Sequence, residues 1–86
     1  MDPVSQGLMK AYMMCRKSGN TVWLERDLEE LNDQRKRARG SYREEIDVRM
    51  REKIKQLKQS IKESNGTTKD VDDLNNILKL LSAASS

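Results

Sequence analysis

Apolar residues recur along this chain at steps of three and four, and three polar or glycine-containing interruptions divide them into segments. In the first segment Val4, Leu8, Ala11, Tyr12 and Cys15 share one helical face. Asp2 followed by Pro3 is a helix start, because proline lacks only a donor that the first turn leaves unpaired. The spacing predicts a helix over 3–17, ended by Ser18, Gly19 and Asn20. Gly7 weakens it by roughly 1 kcal/mol relative to alanine. Met9, Met13 and Met14 widen its apolar surface, which suits core or dimer packing, with an adaptable ligand groove as the alternative.

Thr21 can cap a second helix whose first turns carry Glu25, Asp27, Glu29 and Glu30, where carboxylates suit the positive end of the helix dipole. Trp23 at its opening is expected to close one end of the core rather than stack on a base. Leu24, Leu28, Leu31, Arg35, Ala38 and Tyr42 then alternate steps of four and three, a heptad seam interrupted by the charge of Arg35. Gly40 and Ser41 offer a break, and Ser41 with Glu44 forms a capping-box pattern. A continuous or mildly kinked helix over 22–64, about 63 Å long at roughly 1.5 Å per residue, is the favoured reading. The apolar positions Ile46, Met50, Ile54, Leu57 and Ile61 slip out of the earlier phase between Tyr42 and Met50. Ser64, Asn65 and Gly66 are a stop, and Thr67 ahead of Asp70 is a second capping box. Val71, Leu74, Ile77, Leu78 and Leu81 make the stripe of a last helix over 68–82, followed by a flexible tail at 83–86.

No window alternates as a strand does, so the expected fold is all-α: a short helix, a long central helix possessing a break signal near Gly40, and a short C-terminal helix. A chain of 86 residues holds one small domain over 1–86. Such a domain gains from pairing, so a coiled-coil or helical-bundle homodimer is expected, with Leu24, Leu28, Leu31, Tyr42, Met50, Ile54, Leu57 and Ile61 at the oligomer interface.

The chemistry available is narrow. There is no histidine and Cys15 is the single cysteine, so no zinc site, cofactor or intramolecular disulfide is expected. Cys15 reads as a small buried apolar residue, with an intermolecular disulfide as the alternative. Glu29 with Asp33, and Glu44 and Glu45 with Asp47, lie among polar residues that do not separate their pKa values, and no serine has a base to activate it. Asp70, Asp72 and Asp73 lack the spacing of a calcium loop. The chain is expected not to be an enzyme. No apolar run approaches a membrane span or a signal segment, and the expected setting is a reducing cytoplasm with access to the nucleus open.

Charge changes the picture more than composition does. The net charge is only +3, yet eleven basic and four acidic residues lie from Arg35 to Lys62, against six basic and ten acidic elsewhere. Arg35, Lys36, Arg37 and Arg39, with Arg43 beyond, form one cluster; Arg51, Lys55, Lys58 and Lys62 recur along one helical flank. Both could hold phosphates, the first also serving as a short nuclear-import signal or as solvated charge. For the second, plain solvated surface, inter-helix pairing, or docking on an acidic protein or membrane are the alternatives. Aromatic residues are too few for base stacking, and neither a basic-region zipper nor a helix-turn-helix is evident. The resulting expectation is an RNA-binding protein that holds duplex RNA by backbone and shape. The alternatives are a coiled-coil adaptor working through its apolar N- or C-terminal helix, and a small DNA-binding regulator.

Overall fold

A computed structural model describes residues 2–85, save the side chains of Ala84 and Ser85. Four helices follow one another: α1 (Pro3–Cys15), α2 (Val22–Arg37), α3 (Gly40–Glu63) and α4 (Thr68–Ser85). Each packs on its sequence neighbours and α4 closes the ring against α1, so the α1–α2 edge lies opposite the α3–α4 edge. The bundle is 38 Å long, close to the roughly 36 Å of α3 alone at 1.5 Å per residue, so α3 spans the whole molecule.

The continuous central helix expected over 22–64 is therefore two helices. Ala38 and Arg39 adopt extended backbone, and Gly40 takes φ +62°, a left-handed conformation that costs a side-chain-bearing residue. The chain turns back because both of its apolar faces are satisfied by it: Leu24, Leu28 and Leu31 of α2 and Ile46, Met50, Ile54, Leu57 and Ile61 of α3 all enter one core. The phase slip in the sequence marks this junction. Ser41, read as a cap, lies inside α3, and Arg39 occupies the cap position without a side-chain hydrogen bond.

The residues assigned to an oligomer interface line this intramolecular core, with Leu24, Leu28, Met50, Ile54 and Leu57 at most 2% exposed. Tyr42 is the exception, 53% exposed on the outer surface. The chain's own helices cover the seam that a second copy was expected to cover.

Local chemistry closes the ends. Ser5 N–H donates to Asp2 Oδ1 at 2.9 Å, the expected cap of α1. Thr21 makes no side-chain cap for α2; its single hydroxyl proton is shared between the carbonyls of Cys15, the last residue of α1, and Ser18 in the turn, at 2.9 and 3.1 Å. After α3, Asn65 takes φ +60°, its N–H donates to Lys62 O, and Gly66 N–H donates to Ile61 O at 2.7 Å. This is the paired 5→2 and 6→1 closure of a Schellman motif. Asp70 N–H donates to Thr67 Oγ1 at 3.1 Å, as the second capping box requires. α4 continues through Ser85, so 83–85 extend the helix rather than forming a tail, and Ser86 lies outside the described residues.

Gly7 has a packing reason. A Cβ there would lie 2.8 Å from Ile77 Cγ1, so its absence lets α1 and α4 approach. Cys15 is fully buried, and burial first, then the charge of Glu25, pushes its thiol up to about 11. That placement matches the apolar-packing reading and withdraws the sulfur from an intermolecular disulfide.

Candidate nucleic-acid interface

The two basic clusters meet different fates. At the α2–α3 corner, Arg35 occupies a seam position of α2 and points inward, 5% exposed. Its Nε donates to Asp47 Oδ1 at 2.7 Å, and Asp47 is itself fully buried in α3. A guanidinium desolvated against a carboxylate is a core element, not a surface phosphate ligand, and Arg35 is removed from the candidate interface. Lys36, Arg37 and Arg39 are exposed and Arg43 is half-buried. Lys36 and Arg37 also occupy the last turn of α2, where cations oppose the negative helix end.

Along α3, Arg51 is directed to α4, where Nη1 donates to Leu81 O at 3.4 Å and satisfies a carbonyl near the helix end. Lys55 and Lys62 are exposed and Lys58 half-buried on the same flank. These three lysines run about 10 Å along the helix at roughly 1.5 Å per residue.

The ion pairs sort the remaining charge. Lys10 meets Asp73, Arg16 meets Glu25, Lys17 meets Asp70, Arg26 meets Glu30, and Lys53 meets Asp27. Asp70 and Asp73 of α4 and Glu25 of α2 are thus answered by Lys10 of α1 and by Arg16 and Lys17 just after it, Asp27 by Lys53 of α3 and Glu30 by Arg26 of α2. Among the described residues, Lys36, Arg37, Arg39, Arg43, Lys55, Lys58 and Lys62 enter no ion pair. Glu45, Glu52 and Glu63, spaced by seven and eleven, share a face of α3 turned away from Lys58, whereas Glu44, eleven residues before Lys55, lies on the lysine flank at its corner end. The basic surface is therefore a corner patch and a flank stripe joined by one rigid helix.

Trp23 does not close the core. It is 48% exposed, its Nε1 donates to Asn20 O at 2.8 Å, and Lys53 Nζ lies 4.9 Å from the ring centroid. The indole is held at the surface by a cation and a carbonyl, so it is no free platform for a base.

Nothing in the local pattern marked the buried partner of Arg35, since Asp47 looks like one more polar residue of a charged helix. The groove between α1 and α2 was equally hidden, because its walls come from two helices. No group of histidine, cysteine or carboxylate side chains able to hold a metal ion is present among the described residues. No helix among them is long and apolar enough to cross a membrane. The fold and surface define a small all-α four-helix bundle with segregated charge. Comparisons with protein-family models, curated proteins and solved structures return no match.

Proposed function

We propose that this protein binds nucleic acid through its phosphate backbone, with duplex RNA the favoured ligand and DNA the alternative. The observation that supports it is a local excess of positive charge: Lys55, Lys58 and Lys62 on one flank of α3 and the corner cations Lys36, Arg37, Arg39 and Arg43 enter no ion pair among the described residues. Cations held on a rigid helix and left uncompensated displace counterions from a polyanion without first breaking internal pairs. With Trp23 occupied by Lys53 and Asn20, Tyr42 is left as a single exposed aromatic ring beside the corner, too little for base stacking along a strand, which favours backbone contact over base reading.

The test is a titration of labelled duplex RNA with the Lys55→Gln/Lys58→Gln variant over a range of salt. Affinity should fall for all sequences alike, and the slope of log K against log salt should flatten by about 1.8, roughly 0.9 per lost phosphate contact on a B-form duplex and of similar size on RNA. Helicity should be unchanged, because both side chains lie outside the core. An unaltered slope removes the stripe from the interface.

A further inference from the structure

On the edge opposite the α3–α4 flank, α1 and α2 enclose an open groove of about 310 Å³. Met9 and the half-buried Tyr12 come from α1; Glu29, Asn32, Asp33 and Lys36 come from α2. Glu29 and Asp33 are exposed, one turn apart, and enter no ion pair among the described residues. Their charge also reaches the Tyr12 hydroxyl, whose pKa is pushed up to about 12 by burial first and then by Glu29 and Asp33.

Asn32 separates this groove from an ordinary acidic surface. It is 7% exposed, and its Oδ1 is buried without a hydrogen-bond partner. Its amide orientation follows from a relay: Asn32 Nδ2 donates to Ser5 Oγ at 3.2 Å, and the Ser5 hydroxyl donates onward to Asp2 Oδ2 at 2.8 Å. Ser5 has one hydroxyl proton, already committed to Asp2, so it cannot donate to Asn32 and the amide oxygen must be the orphan. A desolvated acceptor left open costs about 1–3 kcal/mol, and a donor that parts the side chains of the groove wall far enough to reach the covered oxygen recovers it.

We propose that this groove receives a lysine side chain from a basic peptide segment of a protein partner. The aliphatic stem lies along Met9 and Tyr12, and the ammonium sits by Glu29 and Asp33 and donates to Asn32 Oδ1. An ammonium matches because it brings donors and charge together, while Lys36 at one end of the groove directs the incoming cation toward the Glu29–Asp33 half. A peptide rather than a free amine is indicated by the apolar strip beyond the groove. Met9 and Met13 are 55% and 64% exposed one turn apart, giving a chain flanking the lysine something to cover.

The experiment is amide NMR of the whole protein titrated with hexalysine, with its Nε-acetylated form and with spermine. Shifts confined to α1 and α2, lost on acetylation and weaker with spermine, are expected. Asn32→Leu and Glu29→Gln/Asp33→Asn should each weaken hexalysine about tenfold or more, the effect of losing a charge-assisted hydrogen bond, whereas Glu45→Gln/Glu52→Gln should have little effect. Should Asn32→Leu fail to fold, the exposed Met9→Gln tests the same groove. The proposal is overturned by shifts spread over other faces, by equal losses in the Glu45/Glu52 control, by indifference to the groove variants, or by spermine binding as tightly as the peptide. The uncharged replacements Asn32→Leu and Met9→Gln should leave RNA affinity unchanged, and Glu29→Gln/Asp33→Asn, which removes negative charge beside the corner cation Lys36, should not weaken it, so a failed groove and a failed RNA reading give different results.

Discussion

The Arg35–Asp47 pair makes a quantitative demand on the fold. Both side chains are withdrawn from water, 6% and 0% exposed, and meet at 2.7 Å. Replacing Asp47 with Leu leaves a guanidinium buried without its counter-charge, which costs about 3–5 kcal/mol. For a domain of this size that is a fall in Tm of roughly 4–8 °C per kcal/mol, a large part of the total stability. Arg35→Met takes the guanidinium away from the buried carboxylate and should also destabilise. The double variant Arg35→Met/Asp47→Leu removes both charges and fills the space with apolar groups, so it should recover most of the loss and can match or exceed the parent. Urea unfolding of the four proteins, analysed as a double-mutant cycle, measures the coupling. Singles each costing under about 1 kcal/mol, or a double as unstable as the two losses added, would refute the buried pair. The double variant also separates fold from function: if Arg35 serves the core alone, it should bind duplex RNA as the parent does.

Two further outcomes follow from the closures. A Cβ at Gly66 would fall 2.1 Å from Ile61 Cγ2 and 3.0 Å from the Ile61 carbonyl, so Gly66→Ala should destabilise by about 1–3 kcal/mol in thermal unfolding, and no loss would mean the α3–α4 turn is free to relax. Cys15 and Tyr12 have raised pKa values, about 11 and 12 against ordinary values of 9.0 and 10.0. Both favour the neutral form on folding, so their contribution is fully present below pH 9 and is lost as pH rises toward the folded values. Stability should decline across that alkaline window, and Cys15 should react with a thiol reagent at pH 8 only as fast as the protein opens; a rapid reaction of the native state would contradict its burial.

Periodicity was enough to place the apolar faces, since a position recurring every three or four residues reports its own side of a helix. Leu8, Leu28, Ile54 and Leu74 all lie in the core their spacing assigned them. What these faces pack against is a non-local question. A heptad seam reads alike whether its partner is another chain or the next helix of the same one, and helix-forming residues around Gly40 favoured the first reading. Three residues, Ala38, Arg39 and Gly40, changed the answer by turning α3 back on α2. Arg35 failed as a surface residue for the same reason. Its position in the seam signalled burial while its charge signalled solvent, and only an acidic partner twelve residues on, brought close by the turn, reconciles the two.

That reconciliation also shapes the surface. With Arg35 anchored on Asp47, the side chains around it in α2 have their directions set by helical geometry: Asn32 faces the α1 edge and Lys36 and Arg37 remain outside. The same α2 therefore contributes cations to the corner patch and carboxylates to the α1 groove, separated by fewer than two turns. An anionic ligand at the corner and a cationic ligand in the groove would then occupy neighbouring ends of one helix. Each places charge of the sign the other favours nearby, so the two should bind with positive rather than negative coupling, weakening as salt screens the distance between them. Measuring RNA affinity with and without saturating hexalysine tests this, provided the peptide's direct binding to RNA is subtracted by repeating the titration with the Glu29→Gln/Asp33→Asn variant. An RNA affinity unchanged or reduced by groove occupancy would show that the two edges act independently or in opposition.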